Sequence, residues 1–91
     1  MMPSRVDANQ REIVKALRRT GAHVLHLHEV GNGCPDLMVG LPWSGENILL
    51  EIKSPGGKLT EAEQEFYDTW PGRVSIVWSV ADALRAIGAV E

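Results

Sequence analysis

Apolar residues recur along the chain with two different periods. After Gln10, Ile13, Val14 and Leu17 follow at steps of three, four and seven, the spacing of one helix face, so a helix is predicted from Asp7 to a stop at Gly21. Asp7-Ala8-Asn9-Gln10 has the form of a capping box, with the Asp7 carboxylate accepting backbone hydrogen bonds and Gln10 reaching back. From Ala22 to Val30 the period changes to two. Val24, His26, His28 and Val30 alternate with His23, Leu25, Leu27 and Glu29, which predicts a strand with both His26 and His28 on one face. Two further runs, Leu37-Met38-Val39-Gly40 and Asn47 to Lys53, are joined by the turn-forming stretch Gly40 to Gly45 and read as a hairpin. In its second strand Ile48, Leu50 and Ile52 share one face, and Leu49, Glu51 and Lys53 share the other. Thr60-Glu61-Ala62-Glu63 is a second capping box, opening a helix through about Trp70 that Pro71-Gly72 stops. Val74 to Trp78 reads as a last strand, and Ser79 with Asp82 caps a final helix carrying Val80, Ala83, Leu84 and Ile87. The predicted order is helix, three strands, helix, strand, helix, an α/β arrangement without repeat, linker or low-complexity segment.

Composition adds bounds to that outline. A chain of 91 residues fits one domain, with a radius of gyration of roughly 12 Å, and 44% hydrophobic content with three Trp suits a folded globule. No apolar run reaches membrane-spanning length and Met1 to Asn9 lacks a signal-peptide pattern, so the expectation is a soluble intracellular protein. A single cysteine, Cys34, cannot form an internal disulfide, and its expected role is that of a small buried hydrophobe. Taken alone, the net charge of −3 argues against a nucleic-acid binder, because phosphate binding normally shows as a basic domain or face. The charge is uneven, however: residues 5 to 19 hold five bases against two acids, a local +3, leaving −6 elsewhere. Arg11, Lys15, Arg18 and Arg19 fall largely off the apolar stripe. They form either a solvated face suited to the end of the helix dipole or a ridge that contacts phosphates.

The candidate chemistry lies in the hairpin. Asp36 precedes its first strand, and across the hairpin its carboxylate is expected near Glu51, with Lys53 on the Glu51 face. Two carboxylates and an ammonium beside an apolar sheet are costly unless a cation or substrate neutralises them. Carboxylates are hard oxygen ligands suited to magnesium or manganese, ions that acidify water and stabilise charge on a phosphoryl group. The plain alternative is an exposed Glu51–Lys53 pair contributing about 0–1 kcal/mol. His26 and His28 on one strand face are a weak zinc pattern, without a third ligand at a recognisable spacing. Gly31-Asn32-Gly33 allows either a plain turn or close backbone approach. Ser54-Pro55-Gly56-Gly57-Lys58 lacks the spacing of a phosphate-binding P-loop, which disfavours nucleotide hydrolysis.

Gly33-Cys34-Pro35-Asp36-Leu37 followed by Leu50-Glu51-Ile52-Lys53 resembles the PD-(D/E)XK nuclease superfamily, and nearly the whole chain resembles a stand-alone VRR-NUC domain of the kind found in phages. In element order it is also similar to archaeal Holliday-junction resolvases. The resemblance implies a restriction-endonuclease-like αβββαβ core with a C-terminal helix and a small mixed central sheet. It implies a Mg2+- or Mn2+-dependent endonuclease acting on branched or four-way DNA, working as a homodimer in a bacterial cytoplasm. Asp36 and Glu51 would then be metal ligands, the Ile52 carbonyl an additional ligand and Lys53 the catalytic lysine. Arg11, Lys15, Arg18 and Lys58 are the candidate DNA contacts. One departure stands out. Where the family commonly places a glutamate on the first helix, about eleven residues before its terminal glycine, this chain has Gln10, which offers an oxygen but no charge. Gln10 and the acidic balance motivate an alternative, a DNA-binding accessory subunit that keeps the fold but turns over weakly. Glu63 occupies a position where related domains often have glutamine, and its role is open.

Overall fold

The computed structural model describes residues 8–89, in which seven elements follow the predicted order: α1 (Ala8–Arg19), β1 (His23–His26), β2 (Leu37–Gly40), β3 (Asn47–Ile52), α2 (Glu61–Thr69), β4 (Val74–Val77) and α3 (Val80–Ala86). Asp7, the expected first cap, lies outside the described residues. The strands form one sheet in the order β1-β2-β3-β4. Its first three strands run antiparallel as a meander, and β4 returns through α2 to lie parallel to β3. The sheet is therefore mixed, and the α/β class expected from the pattern holds.

Alternation decides what each face does. Leu37 and Val39 of β2, Ile48 and Leu50 of β3 and Val77 of β4 point to one side, where they meet Ile13, Val14 and Leu17 of α1 together with Ala83 and Ile87 at α3. This is the hydrophobic core. Leu49 and Glu51 are also buried but stand on the opposite face, outside that cluster. No residue of α2 is buried. The radius of gyration, 12.6 Å, matches that of a compact chain of this length.

Caps fall where the sequence places them. The Thr60 hydroxyl accepts from the Glu63 amide (3.1 Å) and the Glu63 carboxylate accepts from the Thr60 amide (2.9 Å), closing the capping box of α2. The Ser79 hydroxyl accepts from the Asp82 amide at 3.1 Å to start α3. Trp78 falls just beyond β4, its amide donating to the Asp82 carboxylate at 3.0 Å.

The first strand is shorter than its alternation suggests. His26 pairs with Leu37 at the start of β2, and one further bond, Leu27 amide to Asp36 carbonyl (2.8 Å), exhausts the partner strand. The chain then turns, with the Val30 amide on the Leu27 carbonyl at 2.9 Å. Residues 27–30 carry a strand pattern but have no further backbone to pair with, so His28 sits in a turn rather than on a strand face with His26.

Candidate nuclease site

The hairpin register builds the site. Leu37 lies opposite Leu50, and one step further along this register Asp36 faces Glu51. The Ile52 amide donates to Asp36 Oδ2 at 2.8 Å, fixing that carboxylate against the end of β3. Glu51, 5% exposed, is nearly as deeply buried as its core neighbours. Lys53 Nζ stands 3.6 Å from Glu51 Oε2 and 2.8 Å from Glu63 Oε1, with all three side chains largely shielded. The exposed-pair reading of Glu51 and Lys53 is thus excluded by burial, and the two acids and the lysine do converge.

Their ionisation follows from that placement. Burial, together with the charges of Asp36 and Glu63, pushes the Glu51 carboxyl up to about 8. Asp36 is also raised, chiefly by burial, against the opposing pull of the Ile52 amide. Glu63 is lowered: its burial acts upward, but hydrogen bonds from Lys53 and the Thr60 amide prevail. Burial alone would lower Lys53, yet the bond and charge of Glu63 and the charge of Glu51 lift it above its ordinary value. Lys53 therefore stays charged.

The capping box thus has a second task. By holding Glu63 through the Thr60 amide, it presents the same Oε1 to Lys53. Thr-x-x-Glu was legible as a cap, but its reach to Lys53 depends on tertiary placement that local sequence does not encode. Gly33, at φ +78°, is where α2 is brought in: a Cβ there would lie 2.3 Å from the Ala62 carbonyl oxygen, so a side chain would force the helix start away from the loop leading to Asp36.

Other sequence candidates are placed as follows. Gln10 is buried on the inner face of α1. The first turn of this helix is tied to the site end of the sheet by Asn9, whose Nδ2 donates to the Trp78 carbonyl (3.3 Å) and to the Lys53 carbonyl (3.5 Å). Asn9 was not picked out from the sequence, and nothing in its spacing marks it. Arg11, Lys15 and Arg18 are exposed along α1, and Lys58 is exposed in the loop before α2. Cys34 is half-buried, and its thiol is raised by burial and by Glu51 and Asp36, which keeps it protonated beside the acids. His26 and His28 lie with ring centroids 6.1 Å apart, edge to face. Among the described residues, no group of three or more His, Cys, Asp and Glu side chains is arranged to hold a metal ion. The zinc reading consequently has no third ligand, and a cation at Asp36 and Glu51 would need backbone oxygen or water to complete its shell.

A mixed sheet that presses two acids and a lysine together at the end of a hairpin defines a small α/β domain with a shielded, charged site on the sheet face opposite its core. The VRR-NUC domain family profile matches residues 2–77, and the chain belongs to that family. A solved structure described as a VRR_NUC domain superposes with a TM-score of 0.65, covering 90% of this chain and 92% of the other at 24% identity, a likeness of fold. No curated protein matches the chain. Membership carries a nuclease-type function, with DNA as the implied partner and the divalent-metal dependence general among these domains.

Proposed function

We propose that the protein is a magnesium- or manganese-dependent, structure-specific DNA endonuclease that hydrolyses phosphodiester bonds in branched substrates such as four-way junctions. The observation that carries this reading is the opposition of Asp36 and Glu51 on a buried sheet face. There the Glu51 carboxyl is held near 8, the condition of an acid pair that gains from a shared cation. The donor set fits such an ion: hard carboxylate oxygens from Asp36 and Glu51, with the Ile52 carbonyl as a further oxygen. When bound, the cation supplies Lewis-acid stabilisation of phosphoryl charge and a more acidic water. The chain's own groups do the rest. Lys53, kept charged by Glu63, directs an ammonium toward the phosphate oxygens or the attacking water. Asp36, locked by the Ile52 amide, keeps one oxygen aimed while the other remains available.

Symmetric cleavage of a four-way junction needs two sites related by a two-fold axis, which a homodimer supplies. Single replacement of Asp36, Glu51 or Lys53 by Ala should abolish manganese-dependent cutting of a labelled four-way junction while leaving the fold intact by circular dichroism. Cleavage by all three variants at the wild-type rate would refute the assignment. A second reading, an accessory subunit of low metal affinity, is favoured by the uncharged Gln10 on the inner face of α1. Calorimetric titration with manganese separates the two, since junction binding without metal binding supports the accessory role.

A further inference from the structure

β4 ends the sheet on one side, so one of its two edges has no strand beside it. The Arg73 and Val77 carbonyls accept from the Leu49 and Lys53 amides at 3.1 and 3.0 Å, which turns the backbone groups of residues 73, 75 and 77 toward β3. These directions alternate along a strand, so Val74 and Ile76 turn their amides and carbonyls outward, where among the described residues nothing bonds to them. The open edge is also unguarded. Val74-Ser75-Ile76-Val77 carries neither a charge nor a proline, the usual means of keeping a bare edge from pairing. Along this strand runs a groove of about 300 Å3, lined by residues 75–78 and walled by Asp82, Arg85 and Ala86 of α3. In that wall Arg85 Nη2 lies 2.7 Å from Asp82 Oδ1, and the Arg85 side chain is more than half exposed.

We propose that β4 pairs with β4 of a second copy of this chain, antiparallel about a two-fold axis at Ser75. The strand suits its own reverse. Val74 lies opposite Ile76 of the second copy, Ile76 lies opposite its Val74, and each pair exchanges both backbone bonds while Ser75 meets its own copy at the axis. Every outward amide and carbonyl of residues 74 and 76 is then satisfied. The α3 wall is self-complementary too, because the same axis sets Arg85 against Asp82 of the second copy, and the reverse, across the small Ala86. The opposite edge of the sheet does not serve. β1 adjoins Lys15, Arg18 and Arg19 of α1, which a two-fold axis there would set against their own copies. With the axis perpendicular to the sheet, both acid pairs open on one face of a continuous sheet of twice four strands. Glu51 pairs with Ile76, so the two Glu51 α-carbons lie about 16 Å apart, three strand spacings across and two residue rises along. The inference rests on the homodimer reading above and supplies its surface.

The test is sedimentation equilibrium of the full chain over a dilution series, where a reversible dimer is expected. Arg85→Glu and Asp82→Lys should each raise the dissociation constant about tenfold or more by setting like charges together. An equimolar mixture of the two variants should regain wild-type association, because in the mixed pair each acid again meets a base. Val74→Pro removes an outward amide that β3 does not use and should weaken association by about the same factor. Lys15→Glu, on the exposed side of α1, is the control and should associate as wild type does. Since Asp82 also caps α3, hydrogen exchange of the wild type gives a readout that needs no variant: the Val74 and Ile76 amides should gain protection as concentration rises, in step with the dimer. A chain that stays monomeric, a mixture no tighter than either variant alone, or protection of both amides that does not change on dilution would each overturn the inference. The nuclease reading is judged separately by cleavage. If the wild-type dimer cuts branched DNA but the mixture shows no rescue, the β4 interface falls and the active-site assignment stands. If the mixture is rescued yet the wild-type dimer cuts nothing, the reverse holds.

Discussion

Leu50 and Glu51 are neighbours on β3, both almost fully buried, and they face opposite ways. On the Leu50 side, α1 and α3 cover the sheet with apolar side chains, and burial stabilises the fold. On the Glu51 side, burial gathers acids and a lysine under a helix with no buried residue of its own, and burial raises the free energy of the ionised form. The same backbone therefore serves two ends. One face holds the molecule together, and the other holds charges in an environment they would otherwise avoid.

This contrast can be broken at single positions. Leu50→Ala should have the largest effect, a loss of about 3 kcal/mol in chemical denaturation, because it opens a cavity among Leu37, Ile13 and Leu17. Glu51→Gln, one residue on, should act in the opposite direction. The folded carboxyl titrates near 8 and the unfolded one near 4.5, so between these values the folded state binds more protons and wild-type stability falls as pH rises. In the metal-free wild type the thermal midpoint should drop between pH 5 and pH 8. Glu51→Gln should flatten that slope and exceed wild type above pH 8 by on the order of 2 kcal/mol. An unchanged slope in the variant would show that Glu51 does not carry the strain.

Smaller changes sharpen the comparison on the polar face. Gly33→Ala should cost about 1–2 kcal/mol through its left-handed backbone and the displaced Ala62 carbonyl, and should slow cleavage as α2 moves from Lys53. Glu63→Gln should cost under about 1 kcal/mol. By removing one of the charges that raise Glu51, it should move the Glu51 carboxyl titration to lower pH, as followed by carbon NMR.

The comparison also explains what was legible in the sequence. The hairpin and both faces of β3 could be read because alternation and a turn signal agree there, whereas the register that pairs Leu37 with Leu50 and sets Asp36 opposite Glu51 came with the structure. The caps at Thr60 and Ser79 were equally local. The end of β1 was not legible, because residues 27–30 alternate but β2 offers no backbone to match them. The Glu63–Lys53 contact and the Asn9 clamp join residues 10 and 44 positions apart, respectively, and neither arises from a local pattern.

The shallow seating of α2 has a consequence for amide exchange. With no buried side chain, this helix is held by its caps, the Phe66–Trp70 stack at 4.8 Å and the Lys53–Glu63 bridge. It is thus the element expected to open in a partial excursion well below the free energy of global unfolding, with its deuterium uptake outpacing that of α1. Each such excursion withdraws the acid that neutralises Lys53, so the proton inventory of the site is tied to the breathing of its least protected helix.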